Sequence, residues 1–281
     1  MQPLAIANAA LRDEIFAANR ATGRVAVAVA AGSGGTRPAR IHEEGSLRVR
    51  FPHGAGQVLD AVIVNTAGGM TGGDRSCIDI EARAGAKLSV TTAAAEKIYR
   101  SLGPDTEVGV KLEVGPRAVL AWLPQETILF DRARLRRTIE VNLARDAELL
   151  LAEASIFGRS AMGETVRSGS FVDRRRIRVD GALVLAESVQ LDGGIADRLT
   201  ERAIGAGGAA IASVLKLPGG EDDTAAVRAM QRDFCGEVGV SAWNGLALAR
   251  LVAADGAALR HDLLRVLSAF GSGPPPRLWS N

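Results

Sequence analysis

Three carboxylates in this chain are candidates for chemistry. Asp74 closes a glycine-rich loop, Glu126 lies between Gln125 and the apolar Ile128, Leu129 and Phe130, and Glu153 is embedded in the apolar run 149–157. A carboxylate in an apolar run needs a hydrogen-bonded counter-ion or a cation to offset the loss of water. Two chemistries therefore stand open for each: a satisfied structural pair, or an oxygen ligand lining a route for a divalent cation. For Asp74 the structural alternative is to accept loop amides and fix the turn, a routine task for Asp.

The groups that usually perform catalysis are not gathered. His42, His53 and His261 are scattered, and the chain holds no His-Glu-x-x-His, Cys-x-x-Cys or Gly-x-Ser-x-Gly. With no base, nucleophile or metal triad nominated, the expectation is a protein that is not an enzyme. Cys77 and Cys235 are far apart and imply no disulfide framework; Cys77 reads as a small core residue in preference to a metal thiolate.

The loop that Asp74 closes, N-T-A-G-G-M-T-G-G-D over residues 65–74, begins with Asn65 and carries Gly68, Gly69, Gly72 and Gly73. It follows the β-branched run 58–64, which reads as a strand covered on both faces. It precedes a segment in which Ile78 and Ile80 recur at strand period. Glycine permits positive φ and close backbone approach. A phosphate cradle would need a helix N-terminus next, and the Walker type also Gly-Lys-Ser/Thr; neither is present. Downstream, Lys97 and Tyr99 alternate after Thr91-Thr92, as a strand-end pair facing solvent or as residues that hold the loop or touch a partner. Arg132, Arg134 and Arg136 share one strand parity, as do Arg174, Arg176 and Arg178. Both rows read as solvated faces or as a contact for an acidic partner.

Strands must position most of these groups. Val25, Val27 and Val29 alternate with alanines, and Leu47, Val49 and Phe51 with polar residues. Val108, Val110, Leu112 and Val114 continue the period, with Gly, Pro and Asp breaking the runs about every 8–12 residues, the spacing of an all-β region. The pattern changes after about residue 217. Pro218-Gly219-Gly220 precedes an acidic helix start at Glu221, Asp222 and Asp223, which complement the helix dipole. A first helix is expected near 224–237, on the spacing of Val227, Met230 and Phe234. After a β return at Val240 and over 246–252, a second is expected over 255–270, opened by Asp255 and ended by Gly271. Residues 1–22 read as a weakly ordered, weakly helical segment, and 23–281 as one mainly β domain with two C-terminal helices. No sequence repeat is evident.

Composition sets the class. In 281 residues, 47% are hydrophobic and 23% charged, which fits a soluble globular chain, and with only 4% aromatics the core must be filled by Ala, Val, Leu and Ile. A net charge of +2 argues against strong steering towards nucleic acid. No signal-peptide pattern opens the chain and no apolar stretch reaches the roughly 20 residues of a membrane span, so a cytoplasmic location without membrane attachment is expected.

The motifs in order resemble the UreD family of urease accessory proteins, also called UreH. The loop at 65–74 is similar to that family's N-T-A-G-G-x-x-G-G-D. Thr91-Thr92-Ala93-Ala94-Ala95-Glu96-Lys97-Ile98-Tyr99 is similar to its T-T-x-A-A-x-K-x-Y run. Residues 122–128, residues 158–164 and the ending Pro276-Arg277-Leu278-Trp279 also resemble it. The resemblance runs from about residue 22 to the end. It implies a β-helical arrangement of stacked sheets, which strand period alone does not distinguish from a sandwich. It also implies a scaffold that binds urease apoprotein and UreF, and UreG through UreF, with the GTPase belonging to UreG. No cofactor would be tightly bound; nickel would be in transit towards the urease active site, with Asp74, Glu126 and Glu153 as the candidate path. Transfer favours weak, exchangeable ligands, and nickel accepts imidazole, carboxylate and water. The alternatives are a stable nickel-binding metallochaperone and, further off, an uncharacterised β-rich hydrolase.

Overall fold

The computed structural model describes residue 16 and residues 19–52, 57–271 and 276–280. Most of the expected weakly helical segment 1–22, His53 and residues 272–275 lie outside the described residues.

Among the described residues there are seventeen strands and three α-helices. The strands are β1 (Thr22–Gly32), β2 (Gly35–Gly45), β3 (Leu47–Arg50), β4 (Leu59–Asn65), β5 (Arg75–Ala82), β6 (Lys87–Thr92), β7 (Glu96–Ile98), β8 (Thr106–Val114), β9 (Val119–Trp122), β10 (Thr127–Leu129) and β11 (Arg134–Leu143). There follow β12 (Glu148–Phe157), β13 (Gly169–Val179), β14 (Ala182–Gly193), helix α1 (Ile195–Thr200), β15 (Ala210–Leu217), α2 (Glu221–Ala229), β16 (Glu237–Trp243), β17 (Leu246–Ala253) and α3 (Gly256–Ala269).

The strands form two sheets, one in the order β14-β13-β11-β8-β5-β1-β2 and the other β16-β17-β15-β12-β9-β6-β4-β3. From β4 to β13 the chain passes back and forth between them, so neighbours within each sheet are parallel and one coil apart. Arg75 stands beside Glu107, Glu107 beside Arg136 and Arg136 beside Val172. The coils are thus 107 − 75 = 32, 136 − 107 = 29 and 172 − 136 = 36 residues long. A third, short ladder joins the coils where β10 lies between β7 and β12. The glycine loop supplies its first rung, because Met70 bridges to Ile98 in parallel. This is the stacked-sheet, solenoid-like single domain that the resemblance implies. Antiparallel hairpins close the parallel stack: β1–β2 at one end and β13–β14 with β15, β16 and β17 at the other.

Strand alternation fills the space between the sheets. Val25, Val27, Ile78, Ile80, Leu112 and Ile139 point in from one sheet and meet Ile63, Leu88, Val90, Leu120, Leu149 and Leu151 from the other, all buried. The second sheet also buries its outer face, where Ala152, Val214, Ala249 and Leu251 pack with Leu259, Leu263, Val266 and Leu267 of α3. Strand β12 is consequently covered on both sides, which is why its sequence is nearly continuous apolar. Asp255 caps α3 by accepting the amides of Ala257 and Ala258 at 2.9 Å each, and Gly271 follows the helix with a positive φ.

Several expectations are corrected. The first C-terminal helix is shorter, ending at Ala229, and a 3-10 turn over Gln231–Asp233 replaces its last part. The backbone amides of Cys235 and Gly236 donate to Asp262 on α3, which draws this segment out of helical conformation. Helix α1 is additional. Strand β2 was invisible to periodicity because it has no buried residue and pairs only with β1. Cys77 is exposed, as an outward position of β5 between buried Ser76 and Ile78. Run 58–64 is buried only at Ala61, Val62 and Ile63, while Val58 is 47% exposed. Arg132 sits in a left-handed turn before β11, off the strand face of Arg134 and Arg136. No helix among the described residues is long and apolar enough to cross a membrane.

Candidate functional site

A cavity of about 220 Å³ opens between the sheets beside the glycine loop. Asn65, Gly68, Gly69 and Lys97 line it, together with the backbone turn at Ala93, Ala94 and Ala95, while Trp122, Arg137 and Glu153 lie along its walls. Five of the sequence-nominated residues are therefore brought together: Asn65, Gly68, Gly69, Lys97 and Glu153. Asp74, Glu126, Gly72, Gly73 and Tyr99 are placed outside this lining.

The loop is held by strand pairing. Met70 N–H donates to the Lys97 carbonyl and Tyr99 N–H to the Met70 carbonyl, both at 2.8 Å, and the Tyr99 hydroxyl donates to the Gly68 carbonyl at 3.2 Å. Gly69 has a φ of +142°, and a Cβ there would meet the Tyr99 ring at 2.5 Å. Gly72 and Gly73 turn the chain into β5: the Gly72 carbonyl accepts from Arg20 at 3.2 Å, and Gly73 N–H donates to the Asp105 carbonyl at 3.0 Å. Buried Asp74 accepts the amides of Thr71 at 2.8 Å and Ala21 at 2.9 Å, which is the loop-fixing role. Lys97 and Tyr99 are both exposed, and Tyr99 stacks edge-on against Phe130. Asn65 donates its amide to both oxygens of Glu96, at 3.0 and 3.1 Å. Burial pushes the Glu96 carboxyl up, against the opposing hydrogen bond from Asn65.

Glu126 faces the other way, onto α3. It receives a forked pair of hydrogen bonds from Arg260, at 2.9 and 3.1 Å; the same guanidinium donates to Gln125 and to the Trp279 carbonyl. The indole N–H of Trp279 in turn donates to Thr91 and to the Leu123 carbonyl.

Glu153 belongs to a polar network that crosses the interior from one sheet to the other. It accepts from Trp122 Nε1 at 2.8 Å and from Arg137. Arg137 also forks onto Asp173, at 2.7 and 3.1 Å. Asp173 is shared with Arg175, at 2.7 Å, and Arg175 reaches Ser213 and Glu187. Burial alone would raise the Asp173 carboxyl, but the guanidiniums of Arg137 and Arg175 outweigh it and hold it well below the usual carboxylate range. Two guanidiniums face three carboxylates here; Arg250, whose side chain is 55% exposed, binds Glu187 from the rim and completes the balance.

On the far side of this network lies a second cavity of about 160 Å³, lined by Asp173, Arg175, Glu187 and Arg250 among others. Glu153 lines both cavities. Neither Arg137 nor Arg175 is singled out by motif, yet both carry a readable signal. Arg137 is in phase with inward Leu135 and Ile139, and Arg175 with inward Phe171 and Ile177. The outward arginines of the same strands drew attention instead; Arg134 and Arg136 both bind Asp105 at 2.8 Å.

A family model described as UreD urease accessory protein matches residues 21–280. A urease accessory protein UreD from Rhodopseudomonas palustris (strain BisA53) is 54% identical over 267 residues, covering 95% of this chain and 93% of the relative. One from Bradyrhizobium diazoefficiens is 51% identical over 267 residues, covering 95% and 96%. With matches spanning nearly its whole length, the chain belongs to the UreD family of urease accessory proteins.

Proposed function

We propose that this urease accessory protein acts without catalysis in the cytoplasm. It serves as a scaffold for urease apoprotein, UreF and, through UreF, UreG, and lets nickel pass through its interior towards the urease active site. The observation that carries the reading is Glu153, a buried carboxylate on the wall of both cavities and paired with a guanidinium that a passing cation can replace for a time. Such a ligand is weak and exchangeable, as transfer requires, and metal held by carboxylate and water leaves readily for a stronger site. Asp74 and Glu126 are candidate outer stations, each needing to exchange its present partner for the cation.

The test is urease activation in a host lacking its own UreD, with Asp74→Asn, Glu126→Gln and Glu153→Gln, which keep size and hydrogen-bonding capacity while removing charge. Each variant is expected to co-purify with UreF and urease, and the urease from Glu153→Gln to carry less nickel at limiting nickel, with partial rescue by excess. Full nickel content in all three refutes the path; loss of UreF binding shows a structural role.

A further inference from the structure

Away from both cavities, three metal-ligating side chains converge where α3 meets the segment before β16. Cys235 and His261 are exposed and Asp262 is 1% exposed. Asp262 accepts the backbone amides of Cys235 and Gly236, both at 2.8 Å, and so clamps the thiol-bearing segment against the helix. His261 Nδ1 lies 3.4 Å from Cys235 Sγ and 3.0 Å from Asp262 Oδ1, and one ligand atom from each of the three falls within 4.8 Å of the others.

We propose that Cys235, His261 and Asp262 form a surface site for a divalent transition-metal cation of the zinc, cobalt and nickel class, bound by thiolate, imidazole Nδ1 and one carboxylate oxygen, with water completing the shell. The two separations from His261 Nδ1 fit such an ion. With metal–sulfur and metal–nitrogen bonds of about 2.3 and 2.05 Å, an S···N separation of 3.4 Å subtends about 100° at the metal. An oxygen at about 2.1 Å and the N···O separation of 3.0 Å give about 95°. Thiolate and imidazole together select this class over calcium and magnesium, which take oxygen ligands. The backbone clamp leaves a lone pair on Oδ1 and fixes where it points, as outer hydrogen bonds do for metal-bound carboxylates.

Arg265 opposes binding. Its Nε–H donates to His261 Nε2 at 3.1 Å, so the neutral ring carries its proton on Nδ1, in the place of the cation. On binding, the thiol releases its proton to water and the ring proton moves from Nδ1 to Nε2, which displaces Arg265. Asp233, 3.9 Å from Arg265 Nη1, is positioned to receive the freed guanidinium.

The experiment is titration of the full chain with Co²⁺, followed by its thiolate-to-cobalt charge-transfer absorption, with Zn²⁺ as competitor. The wild-type band should saturate at one equivalent and be displaced by Zn²⁺. Cys235→Ser should abolish it and His261→Gln should weaken binding at least about tenfold. Arg265→Met should tighten it by about tenfold, the scale of one charged hydrogen bond removed. Cys77 is the other exposed thiol, so Cys77→Ser must keep the band. A wild-type chain that binds Co²⁺ without the band, a band that survives in Cys235→Ser, or an Arg265→Met chain that binds no tighter overturns the proposal. Cys235→Ser at an exposed position keeps the test valid even where His261→Gln disturbs the fold.

Discussion

Replacing Arg137 by Met tests the buried network most directly, because it keeps the apolar stem and deletes the charge. The Arg137 side chain is 6% exposed and holds two carboxylates at once. Without it Asp173 retains Arg175 at 2.7 Å, whereas Glu153 retains only the Trp122 indole N–H at 2.8 Å. With Arg250 counted at the rim, guanidiniums against carboxylates change from three against three to two against three. Breaking a buried pair in this way costs about 3–5 kcal/mol, since the orphaned charge keeps its desolvation penalty. In a chain of this length 1 kcal/mol corresponds to roughly 2 °C, so the melting temperature should fall by roughly 6–10 °C. Adding Glu153→Gln removes the orphaned charge and restores the balance, at two against two. The double variant should therefore be more stable than the sum of the single losses, with a coupling of about 1–3 kcal/mol. Guanidinium denaturation at pH 7 measures all four proteins. A single variant within about 1 kcal/mol of wild type, or strict additivity, refutes the account of this network as a mutually dependent unit.

Glu96→Gln should raise the melting temperature at pH 7. Burial raises the Glu96 carboxyl in the folded state, so the unfolded chain ionises first as pH rises past about 4.3 and wild-type stability declines through the folded value. The advantage of Gln should thus vanish towards pH 4, and a constant gap across a pH series of thermal melts contradicts the assignment. Gly69→Val should cost at least about 2 kcal/mol, through positive φ combined with a clash on Tyr99 and the Lys97 carbonyl. Gly68→Ala, at φ +73° with open space around its Cβ, should cost about 1 kcal/mol. Urea denaturation showing the reverse order would locate the strain elsewhere.

What can be read along the chain here is what depends on near neighbours. Alternation places Val25, Val27 and Val29 inward, and the same parity holds the signal for Arg137 and Arg175 as charges on a buried face, although the outward arginines beside them drew attention instead. Asp255 and Gly271 mark the ends of α3 because a cap bonds amides within three residues and a left-handed stop needs no distant partner. The glycine loop is legible as a tight, non-phosphate turn for the same reason. Its pairing with β7 is not.

Strand period is the same in a sandwich and in a coil, and coil lengths of 32, 29 and 36 residues leave no fixed repeat to detect. Strand β2 escapes notice because an exposed edge demands no apolar pattern. Most partners of the three flagged carboxylates are distant along the chain: Arg260 is 134 residues from Glu126, Trp122 is 31 and Arg137 is 16 from Glu153, and Ala21 is 53 from Asp74. Hydrophobic patterning determined from sequence alone that Glu153, of the three, is a buried charge. Only the stacking of coils decided which guanidinium or amide each one meets, because burial demands a partner without specifying where along the chain it comes from.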